Sequence, residues 1–365
     1  MKQKEVDFKS KFKNSVFYTN DFYVKLCFTI LFIAIFIVSF FSFGGVKYFY
    51  STAYADSFKG YNFQIHAIDV GHGDCFLIKL PNDESMLIDA GKENNSLVVC
   101  EYINQFLSFE NLKQIDYFVL THADSDHIGG AKNIINNFKV ANLLRPPVYS
   151  VTESQTSYAT EDFETDEGFL YDEVIMRAYE KGVSSQYFYQ GMTIQFGDCK
   201  LEFLSPQINA KGLSSNNYSG VMMFHYQAKK FLFMGDAEEE IEKGLINKYG
   251  TNLKADVLKV GHHGSATSSS KEFLELVAPE YAIISSEGNS SYFPDFNVVQ
   301  NLKNSDSTLL PTYEFGNLVV SIKNDEIIYA KAQRLPNYLA LIFAVVLIFV
   351  LIIWENPIKK DKKAL

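Results

Sequence analysis

Apolar residues fall along this chain in three kinds of run. Two are long and unbroken: residues 26–46 and 335–354 contain no charged side chain. Each is close to the ~20 residues a helix needs to cross the hydrocarbon core of a bilayer, so each predicts a transmembrane helix. Unbroken apolarity of that length argues against a buried core helix. Between them lie short runs rich in β-branched and aromatic residues, ended by Gly, Asp, Asn or Pro. They cover 63–70, 75–80, 86–89, 115–120, 192–196, 200–204, 221–226, 230–234, 256–260, 281–285 and 318–322, and they predict strands. Amphipathic stretches predict helices over 96–108, 128–137, 168–181, 238–249 and 270–277, the last opened by a capping box, Ser269-x-x-Glu272. Two blocks of strands, each interleaved with helices, predict an α/β fold of two sheets packed face to face with helices outside.

The pattern divides the chain into a basic segment 1–25, a span or signal anchor 26–46, a linker 47–62, a domain 63–332, a second span 335–354 and a basic tail 355–365. Lys2, Lys4, Lys9, Lys11, Lys13 and Lys25 precede or border the first span, and Lys359, Lys360, Lys362 and Lys363 follow the second. Positive flanks stay on the cytoplasmic side. Both termini are therefore expected inside the cell membrane and the domain outside it, with the bilayer as a partner. Ala53-Tyr54-Ala55 offers an alternative, a signal-peptidase site that would remove the first span and leave the domain on the same side. The long amino-terminal region favours an uncleaved anchor.

Charge narrows the substrates. The net charge is −10, and since residues 1–25 carry +3 and 355–365 carry +2, residues 26–354 carry −15. Such a surface repels nucleic acid, so a polyanionic substrate needs local cationic charge to bind. Cys27 lies in the first span, and Cys75, Cys100 and Cys199 lack CxxC spacing, so no disulfide framework is implied. The acidic stretch 148–167 reads as a solvated loop.

The chemistry centres on Thr121-His122-Ala123-Asp124-Ser125-Asp126-His127, directly after the apolar run 115–120. Four metal-ligand side chains crowd the end of a buried strand, where they are costly unless a cation satisfies them. His122 and Asp124 are two apart and can point the same way from an extended segment. Asp126 and His127 begin the next turn, so one pair per metal is the simplest arrangement. A polar loop with an N-cap Asp would account for Asp126 but not for both His and Asp124. Three more strand ends deliver an acid or imidazole: Asp89 in Leu87-Ile88-Asp89-Ala90-Gly91, Asp236 in Met234-Gly235-Asp236, and His262-His263 in Val260-Gly261-His262-His263-Gly264-Ser265. Strands that each present such a group at one edge are how α/β enzymes build a site.

These motifs, with Asp69-Val70-Gly71-His72-Gly73-Asp74, Asn216-Asn217-Tyr218-Ser219 and Thr267-Ser268-Ser269, resemble the metallo-β-lactamase-fold domain of ComEC-type competence proteins over roughly residues 63–330. The resemblance implies a four-layer αββα sandwich with a dinuclear site at one edge. It implies that His122 and Asp124 hold one metal, Asp126 and His127 the other, and that Asp236 bridges them. One of His262 and His263 completes the site; His262 is preferred, leaving the other to face substrate. Asp89 matches an acid that orients ligands.

This chain departs from the family at several points. Asp124 stands where the wider fold has a second His, and the separate third-motif His is missing from the region of Asn217 and Ser219. An oxygen-rich site shifts preference from zinc toward manganese without excluding zinc. Phe293 takes the place of a His before Pro294, and His72 takes the place of a Gln. The family's many-span channel domain is absent from this sequence.

Two divalent metal ions, zinc or manganese, suit hydrolysis of a phosphodiester, because they neutralise the anionic centre. Asp126, Asp236 and His263 are the candidate catalytic residues, His263 as proton donor to the leaving oxygen or clamp on a phosphoryl oxygen. Ser265, Thr267, Ser268, Asn217 and His72 are candidate substrate contacts. The expected function is an extracellular phosphodiesterase or nuclease acting on DNA. Two alternatives are a hydrolase of cell-wall phosphodiesters, such as teichoic-acid phosphocholine, and a non-catalytic metal-stabilised binding module.

Overall fold

The domain is held by three apolar layers, and the alternation of side chains along its strands says why. On the strand Val221–Tyr226, Met222, Phe224 and Tyr226 face one core while Val221 and Met223 face another. A period of two sends successive side chains to opposite faces, so a strand apolar on both must be covered on both. The computed structural model describes residues 50–52, 58, 60–147, 166–288, 292–331 and 334–336.

In chain order the first half contains β1 (Tyr50–Thr52), β2 (Gln64–Ala67), β3 (Phe76–Lys79), β4 (Ser85–Ile88), α1 (Ser96–Phe109), β5 (Ile115–Val119), α2 (Ser125–Ile128), α3 (Ala131–Asn137), β6 (Val140–Arg145), α4 (Asp166–Glu180) and β7 (Ser184–Tyr187). The second half contains β8 (Thr193–Phe196), β9 (Cys199–Ser205), β10 (Val221–Tyr226), β11 (Lys229–Phe233), α5 (Glu239–Tyr249), β12 (Val257–Lys259), α6 (Lys271–Val277), β13 (Tyr281–Ile284), α7 (Phe296–Asn304), β14 (Thr308–Pro311), α8 (Thr312–Phe315), β15 (Leu318–Lys323), β16 (Glu326–Lys331) and β17 (Arg334–Pro336).

One sheet has eight strands in the order β16-β15-β2-β3-β4-β5-β6-β7, and the other has seven in the order β14-β13-β12-β11-β10-β9-β8. Phe63, Ile65, Phe76, Met86 and Leu318 of the first meet Phe203, Phe224, Phe231 and Phe233 of the second in the central core. Tyr102, Ile103 and Phe106 of α1, Ile134 of α3 and Val174 of α4 cover the outer face of the first sheet. Leu245 of α5, Phe273 and Leu274 of α6 and Leu302 of α7 cover the second. The result is the expected sandwich, helices–sheet–sheet–helices, within a unit spanning Thr52–Gln333.

Strand direction positions the site. Strands β4 to β7 run parallel, as do β11 to β14. Each parallel set brings its carboxyl ends to one edge, and the loops leaving β4, β5, β11, β12 and β13 gather there.

Several elements differ from the sequence expectation. Strands β1, β6, β7, β14, β16 and β17 and helices α7 and α8 are additional to those predicted. The helix predicted over 128–137 is two, Ser125–Ile128 and Ala131–Asn137, because the backbone packs tightly at the Gly129-Gly130 pair: a Cβ on Gly130 would meet the Ala90 carbonyl at 2.4 Å. The capping box at Ser269 does not form. Ser269 adopts φ 58°, and Ser270 caps α6 instead, accepting from the Phe273 amide at 3.4 Å. No helix among the described residues is long and apolar enough to cross a membrane. The predicted span 26–46 lies outside the described residues, and so does 335–354 apart from Leu335 and Pro336, which belong to β17.

Candidate metal centre

The site is built on three imidazoles whose Nδ1 atoms are already committed. His127 Nδ1 lies 2.7 Å from Asp89 Oδ2, and both side chains are fully buried. A carboxylate only accepts, so Nδ1 carries the proton and Nε2 presents its lone pair to the site. His263 Nδ1 donates to the Ser285 carbonyl at 2.9 Å, which fixes the same tautomer. His122 Nδ1 lies 3.0 Å from Thr121 Oγ1, whose own proton goes to Asp89 Oδ2 at 2.7 Å. His122 Nε2 is buried without a hydrogen-bond partner.

Asp89 organises this set. It follows β4 in a left-handed conformation, φ 56°, and its Oδ1 accepts from the Thr121 amide at 2.8 Å. One side chain thus ties the loop after β4 to the loop after β5 and orients His127.

The presented atoms converge. His127 Nε2 and His263 Nε2 are 3.2 Å apart. Two lone pairs at that separation repel unless a proton or a metal cation lies between them. His127 Nε2 is 3.2 Å from Asp236 Oδ1, and His263 Nε2 is 3.1 Å from Asp236 Oδ2 and 3.4 Å from Asp126 Oδ2. Ligands ~2.0–2.1 Å from a tetrahedral metal ion stand about 3.3 Å from one another, so these spacings are those of a coordination shell. His122 Nε2 is 3.6 Å from Asp124 Oδ2, and its ring lies 4.1 Å from that of His127, so the first pair adjoins the second. Asp124 Oδ1 accepts from Ser215 Oγ.

Asp74 and Lys259 complete the buried charge. Asp74, His127, Asp236 and His263 offer ligand atoms within 4.8 Å of one another. Lys259 Nζ donates to Asp74 Oδ2 at 2.5 Å and to the Gly235 carbonyl at 3.0 Å, and stands 3.7 Å from Asp236 Oδ1. Burial works against its charge, but Asp74 and Asp236 outweigh burial and raise its pKa. Burial likewise works against the Asp236 carboxylate, and without a metal ion the charges of protonated His127 and His263 hold its pKa well below the usual range; a bound cation would take the place of those Nε2 protons. Asp74 Oδ1 and Asp236 Oδ1 have no hydrogen-bond partner. These orphaned buried acceptors and the orphaned His122 Nε2 fit a divalent cation, since each would otherwise carry an unmet desolvation cost.

His262 and His263 are consecutive left-handed residues, φ 44° and 53°. That turn sends the two rings different ways. His263 enters the centre, while His262 stays partly exposed with Nε2 3.9 Å from Asp236 Oδ2 and Nδ1 3.4 Å from Glu238 Oε1. The preference for His262 as the inner residue is therefore corrected to His263.

The candidate substrate contacts separate. His72 lies over the centre, its Nε2 3.2 Å from Asp126 Oδ2. Thr267 Oγ1 donates to Glu238 Oε1 at 2.7 Å and sits 3.3 Å from His262 Nδ1, and Ser265 Oγ is 3.0 Å from Thr267 Oγ1. Ser268 Oγ instead donates to the Gly261 carbonyl at 2.7 Å, and Asn217 Oδ1 accepts from the Glu238 amide at 3.0 Å. Those two brace loops from buried positions and do not face the centre. The sequence reading gave no role to Asp74 or Lys259. Lys259 had a signal: it is a lone charge inside the apolar run Val257-Leu258-Lys259-Val260.

The sequence profile of the metallo-beta-lactamase superfamily matches residues 68–161 and 213–288, which carry these groups. This is a metallo-beta-lactamase domain. The domain is similar to ComE operon protein 3 of Bacillus subtilis, 31% identical over 275 residues, covering 72% of this chain and 33% of that protein. It is similar to Recombination protein 2 of Haemophilus influenzae, 29% identical over 280 residues, covering 75% of this chain and 31% of that protein. The chain thus spans about a third of the length of the curated relatives it matches. Among solved structures, it resembles the metallo-beta-lactamase fold protein YhfI of Bacillus subtilis, with TM-score 0.44 and 10% identity, covering 73% of this chain and 100% of that one.

Proposed function

We propose that this metallo-beta-lactamase domain is a two-metal phosphodiesterase, held outside the cell membrane by the spans 26–46 and 335–354. The observation that carries the reading is the 3.2 Å approach of His127 Nε2 to His263 Nε2 with both Nδ1 atoms committed elsewhere. His122, Asp124 and Asp236 would hold one ion, and Asp126, His127, His263 and Asp236 the other, with zinc or manganese as the metal. When bound, such ions supply Lewis acidity that activates water and neutralises a phosphoryl centre.

The chain's own groups do the rest. Asp89 and the Ser285 carbonyl hold two imidazoles in register. Lys259 offsets the surplus of buried carboxylates beside Asp236. His262, backed by Glu238, faces outward and supplies a donor for a phosphoryl or leaving oxygen. Thr267 and Ser265 lie beside it as hydroxyl donors. DNA as the phosphodiester is supported by one relative's being named a recombination protein, Recombination protein 2 of Haemophilus influenzae. The −15 balance of residues 26–354 favours a second reading, a cell-surface phosphodiester whose phosphate is balanced by a cationic group, such as teichoic-acid phosphocholine.

The test is elemental analysis of the purified full chain and of Asp236→Asn. A screen of single-stranded DNA, double-stranded DNA, a bis-aryl phosphate and choline phosphate esters follows. Two equivalents of metal and phosphodiester turnover, both lost in Asp236→Asn, are expected. Metal and hydrolysis that both survive the substitution sink the assignment. Metal without turnover on any ester leaves a binding module.

A further inference from the structure

The loop between β2 and β3 reaches across the centre and is pinned on both sides. Asp69 Oδ1 accepts from the Gly71 amide at 3.1 Å, Gly91 donates its amide to the Asp74 carbonyl at 2.9 Å, and Ser285 Oγ donates to the Gly73 carbonyl at 2.5 Å. Gly73 has φ 136°, and a Cβ there would meet the Asp126 carbonyl oxygen at 2.2 Å. Only glycine lets this loop lie against the one that carries Asp126 and His127. The loop therefore holds the intervening residue, His72, at a fixed height over Asp126.

The His72 ring sits in an aromatic corner. It packs 4.5 Å from the His263 ring and 4.6 Å from the Phe293 ring, which are themselves 6.3 Å apart, so the three rings form one cluster. Its Nε2 is 3.2 Å from Asp126 Oδ2, and His263 Nε2 is 3.4 Å from the same oxygen. These three residues form a second group whose ligand atoms lie within 4.8 Å of one another. Both spacings are ligand–ligand edges of the size that a shell of ~2.0–2.1 Å bonds produces. Phe293, which contributes no ligand atom, packs against His72 at 52° and also touches the His262 ring at 5.5 Å.

We propose that His72 is a ligand of the second metal ion, adding an imidazole to Asp126, His127, Asp236 and His263. The inference rests on the two-metal reading above. It makes the second position richer in nitrogen than the first, which has His122 and Asp124. The two positions would then differ in metal preference, the second favouring zinc- or cobalt-like ions and the first tolerating manganese.

The experiment uses the full chain, stripped of metal and titrated with Co²⁺ while visible absorption is recorded. Wild type is expected to take two equivalents. His72→Gln is expected to bind the first equivalent as wild type does and the second about tenfold or more weakly, with an altered ligand-field spectrum. His72→Cys is expected to gain a thiolate-to-cobalt charge-transfer band, a direct sign that position 72 reaches the ion. Matching far-ultraviolet circular dichroism of the metal-free proteins checks that both variants fold. Unchanged second-equivalent affinity and spectrum in His72→Gln, with no charge-transfer band in His72→Cys, overturn the proposal and leave the two-metal reading intact. Fewer than two equivalents in wild type overturn the two-metal reading itself, and the proposal with it.

Discussion

Lys259 Nζ lies 2.5 Å from Asp74 Oδ2, with the lysine 1% and the aspartate 2% exposed. A buried pair of this kind is most costly when only one partner is removed, because the other charge is left without compensation. Lys259→Met is therefore expected to lower unfolding free energy by about 3 kcal/mol or more. Adding Asp74→Asn is expected to restore part of it. Urea denaturation of the single and double variants measures the coupling, and strictly additive effects would show that the pair does not act as a unit.

Asp89 orients His127 without facing the centre's open side. Asn at this position keeps the left-handed backbone, which Asn tolerates better than most residues, but it leaves the His127 tautomer unspecified. Asp89→Asn is expected to weaken metal binding by about 10- to 100-fold. Equilibrium dialysis reads the loss directly. Wild-type affinity in the variant would remove Asp89 from the site's support.

Gly73→Ala tests the approach of two loops. The new methyl would meet the Asp126 carbonyl oxygen at 2.2 Å, on a backbone with φ 136°. Neither loop can yield without displacing Asp126, so a loss on the order of 2 kcal/mol is expected. The loss should come with weaker metal binding. Thermal unfolding with and without added metal separates the two effects.

His66, away from the centre, gives a pH signature. It is fully buried, with Nδ1 2.7 Å from Tyr102 Oη, and burial, helped by the charge of Lys79, pushes its pKa from 6.5 down to about 3. The folded protein keeps this imidazole neutral while the unfolded chain protonates it below 6.5, so stability falls as pH drops through the window from 6.5 to about 3. The slope contributed is at most ~1.4 kcal/mol per pH unit. Between pH 7 and 5 the difference in stability between wild type and His66→Gln should shift by about 2 kcal/mol in favour of the variant. Chemical denaturation at the two pH values checks it, and a constant difference rejects it.

The strands that sequence reading found are those with dense apolar or alternating patterns, such as Val221–Tyr226 and Lys229–Phe233. The ones it missed lack that signal. β7, Ser-Ser-Gln-Tyr, pairs in parallel with β6 although its first three residues are exposed, so backbone pairing rather than burial makes it a strand. The shifted cap of α6 has a related cause. Ser269 and Ser270 are equally good capping residues in sequence, and Glu242 from α5 takes the amides of both, 2.9 Å from that of Ser270. The long-range partner chooses the register.

Local sequence determined the sandwich and the identity of most groups at the centre, because apolar periodicity and acids or imidazoles at strand ends are local properties. The choice between His262 and His263 was not local. It depends on two consecutive left-handed residues and on the carbonyl of Ser285, just after the neighbouring strand β13. Asp74 and Lys259 were hidden for the same reason: their partnership joins a loop of one sheet to the end of strand β12 in the other, and only the packing of one sheet on the other brings them to 2.5 Å.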